Sequence, residues 1–185
     1  MKYFTPELLA RSRSLDDDEA EAAAAEWEKK IAAYHVRLKE IRRHLPLGAR
    51  QLLKHVSLHD AQFLTLNRAG SELFLTLRLP CNAHQQAGGV ELRYTLLGQS
   101  NLVVHEPETP ANGPVARWLL YDEFDEARAG RVRAYTHSLL MTGGLEFRIR
   151  FCNLRLKRFG MVLLADSKPS EIKKELANDG QRATA

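Results

Sequence analysis

The sequence predicts an α+β fold in which N-terminal helices, one of them long, pack on a curved antiparallel sheet or partial barrel of about six or seven strands. Two observations carry this prediction. Apolar residues over 16–45 recur at steps of three and four, the period of a helix. After residue 57 the period changes to two, as in a strand with one buried face. The predicted organisation is a helical segment over 1–57, a β body over 58–165 and a polar tail over 166–185.

The composition is that of an ordinary globular protein. The chain has 185 residues, 44% hydrophobic and 27% charged, which suffices for a core without disulfides or metal. Cys81 and Cys152 form no CxxC pair, which is typical of a reduced cytoplasmic protein. No apolar run approaches the roughly 20 residues that cross a bilayer, and the first ten residues do not resemble a secretion signal. We therefore predict a cytoplasmic protein with no membrane contact and no cofactor.

Helix signals stand in order along the N-terminal third. Thr5-Pro6-Glu7 predicts a capped short helix that ends near Arg13. The next helix is predicted to begin at Ser14 or Asp16 and to run for about 30 residues, until Pro46 ends it. Its apolar stripe has to be covered either by the same chain or by a second copy in a homodimer. The stripe consists of Ala20, Ala24, Trp27, Ile31, Tyr34, Leu38, Ile41 and Leu45.

Strand signals follow a third short helix predicted over 48–55. Alternating apolar residues predict strands over 72–79, 90–96 and 145–151, and weaker patterns predict four more over 62–67, 102–105, 116–121 and 133–141. Tight turns are predicted at 69–71 and 142–144. The apolar positions change parity between Phe151 and Leu154, which predicts a bulge near Cys152-Asn153.

The pair His59-Asp60 stands where the helical period gives way to the strand period. Adjacent His and Asp side chains can supply metal ligands or a proton relay. On a strand, however, neighbouring side chains face opposite sides of the sheet and cannot share one metal ion. We therefore expect Asp60 to accept backbone N–H bonds at this corner, with His59 packed on it. A binding site that includes both residues is the alternative.

An acidic run, Tyr121-Asp122-Glu123-Phe124-Asp125-Glu126, directly follows an apolar segment. Clustered carboxylates can hold a hard cation or perform acid–base chemistry, but this run lacks the glycine and the ligand spacing of a calcium loop. The pattern predicts a solvated strand end followed by a turn. Read as a binding site, Tyr121, Asp122, Glu123 and Asp125 form a recognition rim for a cationic partner.

A basic segment lies near the end of the predicted sheet. Between Arg131 and Arg158 the chain has seven basic residues and one acidic residue. Arg148 and Arg150 are two positions apart and are predicted to share the outer face of one strand. Such a face can bind RNA or another polyanion. Because outward aromatic residues are few and no RNP motif is present, a solvated sheet face is the competing interpretation.

Motifs of catalysis are absent from the sequence. It contains no GxSxG, no phosphate-binding loop, no GxGxxG and no HExxH. His137 stands beside Ser138, but adjacent side chains on a strand diverge. His137 is therefore a candidate binding residue only if other groups reach it in space. The sequence names no catalytic residue and no metal ligand.

Four segments of the first 60 residues together form a recognisable pattern: Met1-Lys2-Tyr3-Phe4-Thr5, Ala25-Glu26-Trp27-Glu28, Leu45-Pro46 and Leu58-His59-Asp60. They resemble a bacterial family of domains of unknown function, number 4085. The run Leu119-Leu120-Tyr121-Asp122-Glu123 is also similar to a pattern in immunity-like bacterial proteins. The resemblance implies a bacterial cytoplasmic protein with helices before a β-rich body. It transfers no activity and no residue role.

Together these features favour a non-catalytic binding protein whose partner is another protein, with an immunity-like role as a narrower hypothesis. Two alternatives stay open. One is a metal-assisted hydrolase that uses His59-Asp60 and Tyr121–Glu123. The other is an RNA- or polyanion-binding protein that uses the basic sheet face.

Overall fold

A computed structural model of the chain describes residues 1–80, 88–98, 101–105, 117–129 and 132–160. Within these ranges three helices precede seven strands that form one antiparallel sheet. The helices pack on the curved sheet, so the predicted α+β class is confirmed. The polar tail predicted over 166–185 lies outside the described residues.

The three helices are α1 (Pro6–Arg11), α2 (Asp17–Ile41) and α3 (Leu47–His55). Thr5 and Asp16 cap α1 and α2 as predicted, because a side-chain oxygen of each accepts a backbone N–H of the first turn. Acidic residues fill the first turn of α2, where they complement the helix dipole. None of these three helices is long and apolar enough to cross a membrane.

Helix α2 ends earlier than the sequence predicts. It has 25 residues and stops at Ile41, five positions before Pro46. A proline disfavours the helical conformation of the residue before it, here Leu45. The N–H groups of His44 and Leu45 both turn back to the carbonyl of Ile41, at 2.8 and 3.2 Å. This tight turn carries Leu45 into the core.

All seven predicted strands form, several of them longer than expected. Their bounds are β1 (Gln62–Ala69), β2 (Glu72–Leu79), β3 (Gly88–Leu96), β4 (Leu102–His105), β5 (Leu119–Ala129), β6 (Val132–Met141) and β7 (Glu146–Gly160). The order is β1-β2-β3-β7-β6-β5, and β4 pairs with the first part of β7. Strand β7 continues nine residues beyond the predicted end at 151, and β5 continues eight residues beyond the predicted end at 121.

The sheet curls until the two ends of its strand order touch at one corner. Asp60 N–H donates to the carbonyl of Leu119, Leu119 N–H donates to Ala61, and Phe63 N–H donates to Arg117, each at 2.8 Å. The sheet formed by these seven described strands is nevertheless not closed. The concave side holds the core, into which α3 and the end of α2 insert apolar side chains.

A bulge divides β7 where the sequence predicts it. Opposite β3, the pairing passes from Thr95↔Asn153 to Leu96↔Phe151 and leaves Cys152 out of register. The bulge allows Phe151 and Leu154 to face the core although their positions differ in parity. The first half of β7 therefore pairs with β4 and β6, and the second half pairs with β3.

Glycine at position 48 sets the distance between α3 and β7. A Cβ atom there would lie 2.1 Å from the carbonyl oxygen of Leu154. No residue with a side chain fits this approach without a shift of the backbone. Ala49 and Leu52 of the same helix are buried in the core beside it. The close approach brings α3 against the half of β7 beyond the bulge.

Candidate binding cleft

The acidic run lies inside β5, so the prediction of a solvated strand end and turn is wrong. Glu123 is 5% exposed and Phe124 is 0% exposed. Strand β5 continues past residue 121 because it pairs with β6 as far as Ala129↔Val132, and α2 packs along it. The hydrogen-bonding capacity of the β5 edge is partly satisfied by a side chain, since Phe124 N–H donates to the hydroxyl of Tyr34 at 2.8 Å. Burial, followed by the charge of Asp122, raises the pKa of Tyr34.

Glu123 faces outward and holds the N-terminal segment on the sheet. Its carboxylate accepts three backbone N–H groups, from Lys2 at 2.9 Å, Tyr3 at 2.7 Å and Phe4 at 2.6 Å. Hydrogen bonds to an ionised acceptor are roughly twice as strong as neutral ones. The Glu123 carboxylate, which the sequence suggests as a contact for a cationic partner, therefore binds the chain's own backbone.

A second buried carboxylate, Glu146 at the start of β7, lies on the same face. It accepts hydrogen bonds from the Met1 ammonium and from Arg148 Nη2, the latter at 3.0 Å. Burial alone raises the pKa of Glu146, but the Met1 ammonium and Arg148 outweigh that effect and hold the pKa below its ordinary value. Glu146 thus remains ionised and fixes one side of Arg148.

Between these anchored groups lies a polar cleft of about 380 Å³. We call the residues of β6, the middle strand of the three, its floor and those of β5 and β7 its walls; residues of the N-terminal segment complete the lining. The lining residues are Met1, Lys2, Glu123, Asp125, Thr136, Ser138 and Arg148. Strand register aligns Glu123 with Ser138, and Ser138 with Arg148. The structure thus brings Glu123, Asp125 and Arg148 of the predicted candidates together.

His59 and Asp60 lie elsewhere, at the corner before β1. The carboxylate of Asp60 lies 2.9 Å from His59 Nδ1. It therefore pairs with the imidazole and does not accept the expected backbone N–H groups. Asp60 has a φ of 60°, and this left-handed turn lets adjacent side chains meet where a strand would separate them. Both side chains are more than half exposed.

Tyr121 joins the His59 corner to the helical cover. Its ring lies 5.7 Å from the ring of His59, 5.2 Å from Phe4 and 4.7 Å from Trp27, centroid to centroid. Aromatic contacts of this kind add to the stabilisation from apolar burial. The predicted stripe of α2 is therefore covered by the same chain at Trp27. Tyr121 belongs to this packing and does not line the cleft.

The opposite face of β5 and β6 carries a buried network that sequence reasoning missed. His137 and Tyr94 are both 0% exposed. The Tyr94 hydroxyl lies 2.7 Å from His137 Nδ1, and His137 Nε2 lies 3.1 Å from Asp122 Oδ2. Phe124 stacks on the imidazole at 3.9 Å. Burial, followed by the charge of Asp122, raises the pKa of Tyr94.

One sequence signal does place His137 on the inward face, since it alternates with Tyr135 and Leu139. Its partner Tyr94 comes from β3, which is neither adjacent in sequence nor paired with β6. No local pattern therefore predicts the contact. Asp122 and His137, two of the predicted candidates, meet in this network and not at the cleft.

Arg148 and Arg150 of β7 lie on the outer face, as predicted. Arg148 pairs in register with Ser138, and Arg150 pairs with Thr136. Beyond the bulge, Arg155 and Lys157 are exposed. Arg93, on the neighbouring strand, forms an ion pair with Glu72 and stacks over Phe74 at 5.1 Å. The outer face thus has a mixed-charge half near the cleft and a more basic half beyond the bulge.

Among the described residues, no group of three His, Cys, Asp or Glu side chains is placed to hold a metal ion. Comparison of the sequence with models of protein families and with curated proteins finds no match. The family resemblance of the four N-terminal segments therefore stays a prediction.

Proposed function

We propose that this chain is a non-catalytic binding protein that takes a polar segment of another protein into the cleft between β5, β6 and β7. The observation that carries the proposal is the cleft itself, about 380 Å³ in volume and lined by charged and hydroxyl side chains. Its volume lies near the lower end of the range for ligand pockets, about 300–1,000 Å³. It is large enough for one or two side chains of a partner.

The rigidity of the cleft walls supports binding. Its walls are held by long-range contacts, since Glu123 bonds the N-terminal segment and Arg37 of α2 bonds Asp125 at 2.7 Å. A site whose groups are already fixed loses little conformational entropy when a ligand arrives. The partner is expected in the cytoplasm, and an immunity-like role, in which binding blocks a toxin, is the narrower form of the proposal.

Affinity capture with a cleft-filling variant tests this function. Thr136 lies on the floor, so Thr136→Trp places an indole in the cleft. Because tryptophan, like threonine, favours strands, the change should preserve β6. Thr65→Trp is the matched control, because Thr65 is an exposed strand residue on β1. Wild type and both variants are immobilised and exposed to lysate of the source organism, and bound proteins are quantified by mass spectrometry.

We expect a stoichiometric protein that wild type and Thr65→Trp retain and that Thr136→Trp loses. Circular dichroism and the unfolding midpoint of each variant check that the fold is intact, and Arg148→Glu supplies a second perturbation if Thr136→Trp is unstable. Equal retention by all folded variants would refute the cleft as the binding surface.

A second candidate, polyanion binding, is favoured by the half of the outer face beyond the bulge. There Arg155 and Lys157 are exposed, and Arg93 stacks over the ring of Phe74. Binding of this kind releases counterions and weakens steeply as salt increases. Titration with single-stranded RNA at two salt concentrations tests it, with Arg155→Glu as the disruptive variant. Absence of binding at low salt would remove this candidate.

A further inference from the structure

The cleft offers several hydrogen-bond donors that the fold does not use. Within the described part of the chain, the hydroxyl groups of Thr136 and Ser138 on its floor make no hydrogen bond. A hydroxyl can donate one hydrogen bond and accept two. The floor therefore offers two donors that point to a space next to Arg148, the register partner of Ser138.

Four of the six oxygens of the Glu123, Asp125 and Glu146 carboxylates around the same space are already engaged. Both carboxylate oxygens of Glu123 accept backbone N–H groups. Asp125 Oδ1 accepts from Arg37 Nε at 2.8 Å and from the N–H of Glu126 at 2.8 Å. Glu146 Oε1 accepts from the Met1 ammonium and Arg148. The negative charges of the walls are thus compensated by groups of the protein.

The cations retain donor capacity. Arg148 uses Nη2 in its bond to Glu146, and its side chain is 45% exposed. A guanidinium carries five N–H donors in a planar fork that matches a carboxylate. Lys2 lines the cleft, and its ammonium lies 5.2 Å from the centre of the Tyr3 ring. No carboxylate of the described residues lies within 4.0 Å of that ammonium.

We infer that the cleft recognises a carboxylate, and that in the complex this carboxylate is a Glu or Asp side chain of the partner polypeptide. It rests on the proposed function and specifies the chemical group of the partner that the cleft binds. Arg148 binds the carboxylate through its remaining N–H groups, Ser138 and Thr136 donate from the floor, and Lys2 adds a second positive charge. Glu146 of β7 holds Arg148 and Glu123 of β5 holds the backbone of Lys2, so these carboxylates serve the donors and do not contact a cation of the partner.

An exposed strand beside the cleft favours a polypeptide source. Val103 of β4 pairs in register with Arg148 and is 42% exposed. Among the described strands, β4 pairs with β7 alone. A peptide that crosses β4 can contact Val103 while one of its acidic side chains reaches Arg148. A small free dicarboxylate shares the ionic chemistry but gains nothing from this apolar contact.

Nuclear magnetic resonance titration of the ¹⁵N-labelled chain tests the inference without knowledge of the partner. The probes are a capped peptide of alternating glutamate and glycine, its glutamine analogue, succinate and inorganic phosphate. We expect saturable shifts of the Thr136, Ser138 and Arg148 amides with the glutamate peptide. Arg148→Gln should weaken this binding about tenfold or more, since it removes charge-assisted bonds. Arg155→Gln, on the same strand beyond the bulge, should leave it unchanged.

Each other outcome contradicts the inference. Equal shifts with the glutamine analogue would show that charge is not recognised. Equal affinity for succinate or phosphate would overturn the polypeptide source. If shifts occur at Arg155 and Lys157 and not in the cleft, or if no probe gives saturable shifts, the site is wrong. The proposed function can survive that failure, because loss of partner capture by Thr136→Trp measures cleft binding independently of ligand charge.

Discussion

The two faces of strands β5 and β6 are built from neighbouring residues and serve different purposes. On the inner face, Asp122 completes a buried network with His137 and Tyr94. On the outer face, Glu123 bonds the N-terminal segment beside a polar cleft. Side chains of consecutive strand residues point to opposite faces. The acidic run is therefore not one site, and its members have to be assigned residue by residue.

Stability and binding are separated between the two faces of these strands. The inner face contributes apolar burial and satisfied polar groups, so changes there should lower the free energy of unfolding. The floor of the outer cleft contributes donors that the fold does not use. Changes on that floor should alter binding more than stability.

The largest expected effect is on the inner face, at Phe124. Phe124→Ala removes a fully buried ring that stacks on His137 and should lower the free energy of unfolding by about 3–5 kcal/mol. Phe74→Ala, the matched change at a half-buried outward position, should cost much less. Urea denaturation measures both. Equal losses would break the distinction between the faces.

Glu123 tests the anchoring role on the outer face. Glu123→Gln replaces one acceptor oxygen by an amide that faces an N–H donor, and it should lower the free energy of unfolding by about 1.5–3 kcal/mol. Faster hydrogen exchange at the Tyr3 and Phe4 amides should accompany the loss. Glu91→Gln is the control. If those amides exchange at wild-type rates, Glu123 does not hold the segment.

Removal of a single oxygen atom, the hydroxyl oxygen of Tyr94, tests the buried network. Tyr94→Phe leaves His137 Nδ1 without its partner in a site with no exposure, at an expected cost of about 1–3 kcal/mol. Tyr3→Phe serves as the comparison, because Tyr3 is only half-buried. An unchanged unfolding midpoint for Tyr94→Phe would mean that the hydrogen bond contributes no net stability.

The close packing of α3 on β7 can be tested at Gly48. Helix propensity alone predicts that Gly→Ala stabilises a helix interior by about 0.5–1 kcal/mol. Because the new Cβ would lie 2.1 Å from a backbone oxygen, we expect Gly48→Ala to destabilise by about 1–3 kcal/mol. The sign of the change in thermal stability decides between the two effects.

The smallest effect concerns pH. The pKa of Glu146 is lowered in the folded chain, so the ionised group stabilises the fold above the unfolded-state pKa of about 4.3. This contribution is lost as the pH falls through the lower folded-state value. Wild type should therefore exceed Glu146→Gln in stability at pH 7, and the difference should shrink in acid. A difference that grows in acid, or one matched by Glu28→Gln, contradicts the assignment.

Sequence periodicity predicted the architecture well for identifiable reasons. The caps at Thr5 and Asp16 and the bulge at Cys152 each depend on local chemistry or on strand parity. The length of β5 was not predictable, because α2 covers that strand through contacts distant in the sequence, such as Tyr34 with Phe124.

The candidate site was predicted only in part. Arg148 and Arg150 share a face because they are two residues apart on one strand. The grouping of Glu123 with Lys2 and Ser138 depends on the packing of the N-terminal segment against strands that follow it by more than a hundred residues in the chain. The meeting of Tyr94 with His137 likewise depends on sheet curvature. Local sequence patterns hold no signal for such contacts.

The most direct test of the separation between faces is partner retention by two variants measured side by side. Thr136→Trp should lose the captured partner while its unfolding midpoint stays close to that of the Thr65→Trp control. Tyr94→Phe should unfold at a lower temperature and still retain the partner below that temperature. Retention by folded Thr136→Trp, or loss of the partner by folded Tyr94→Phe, would contradict the account.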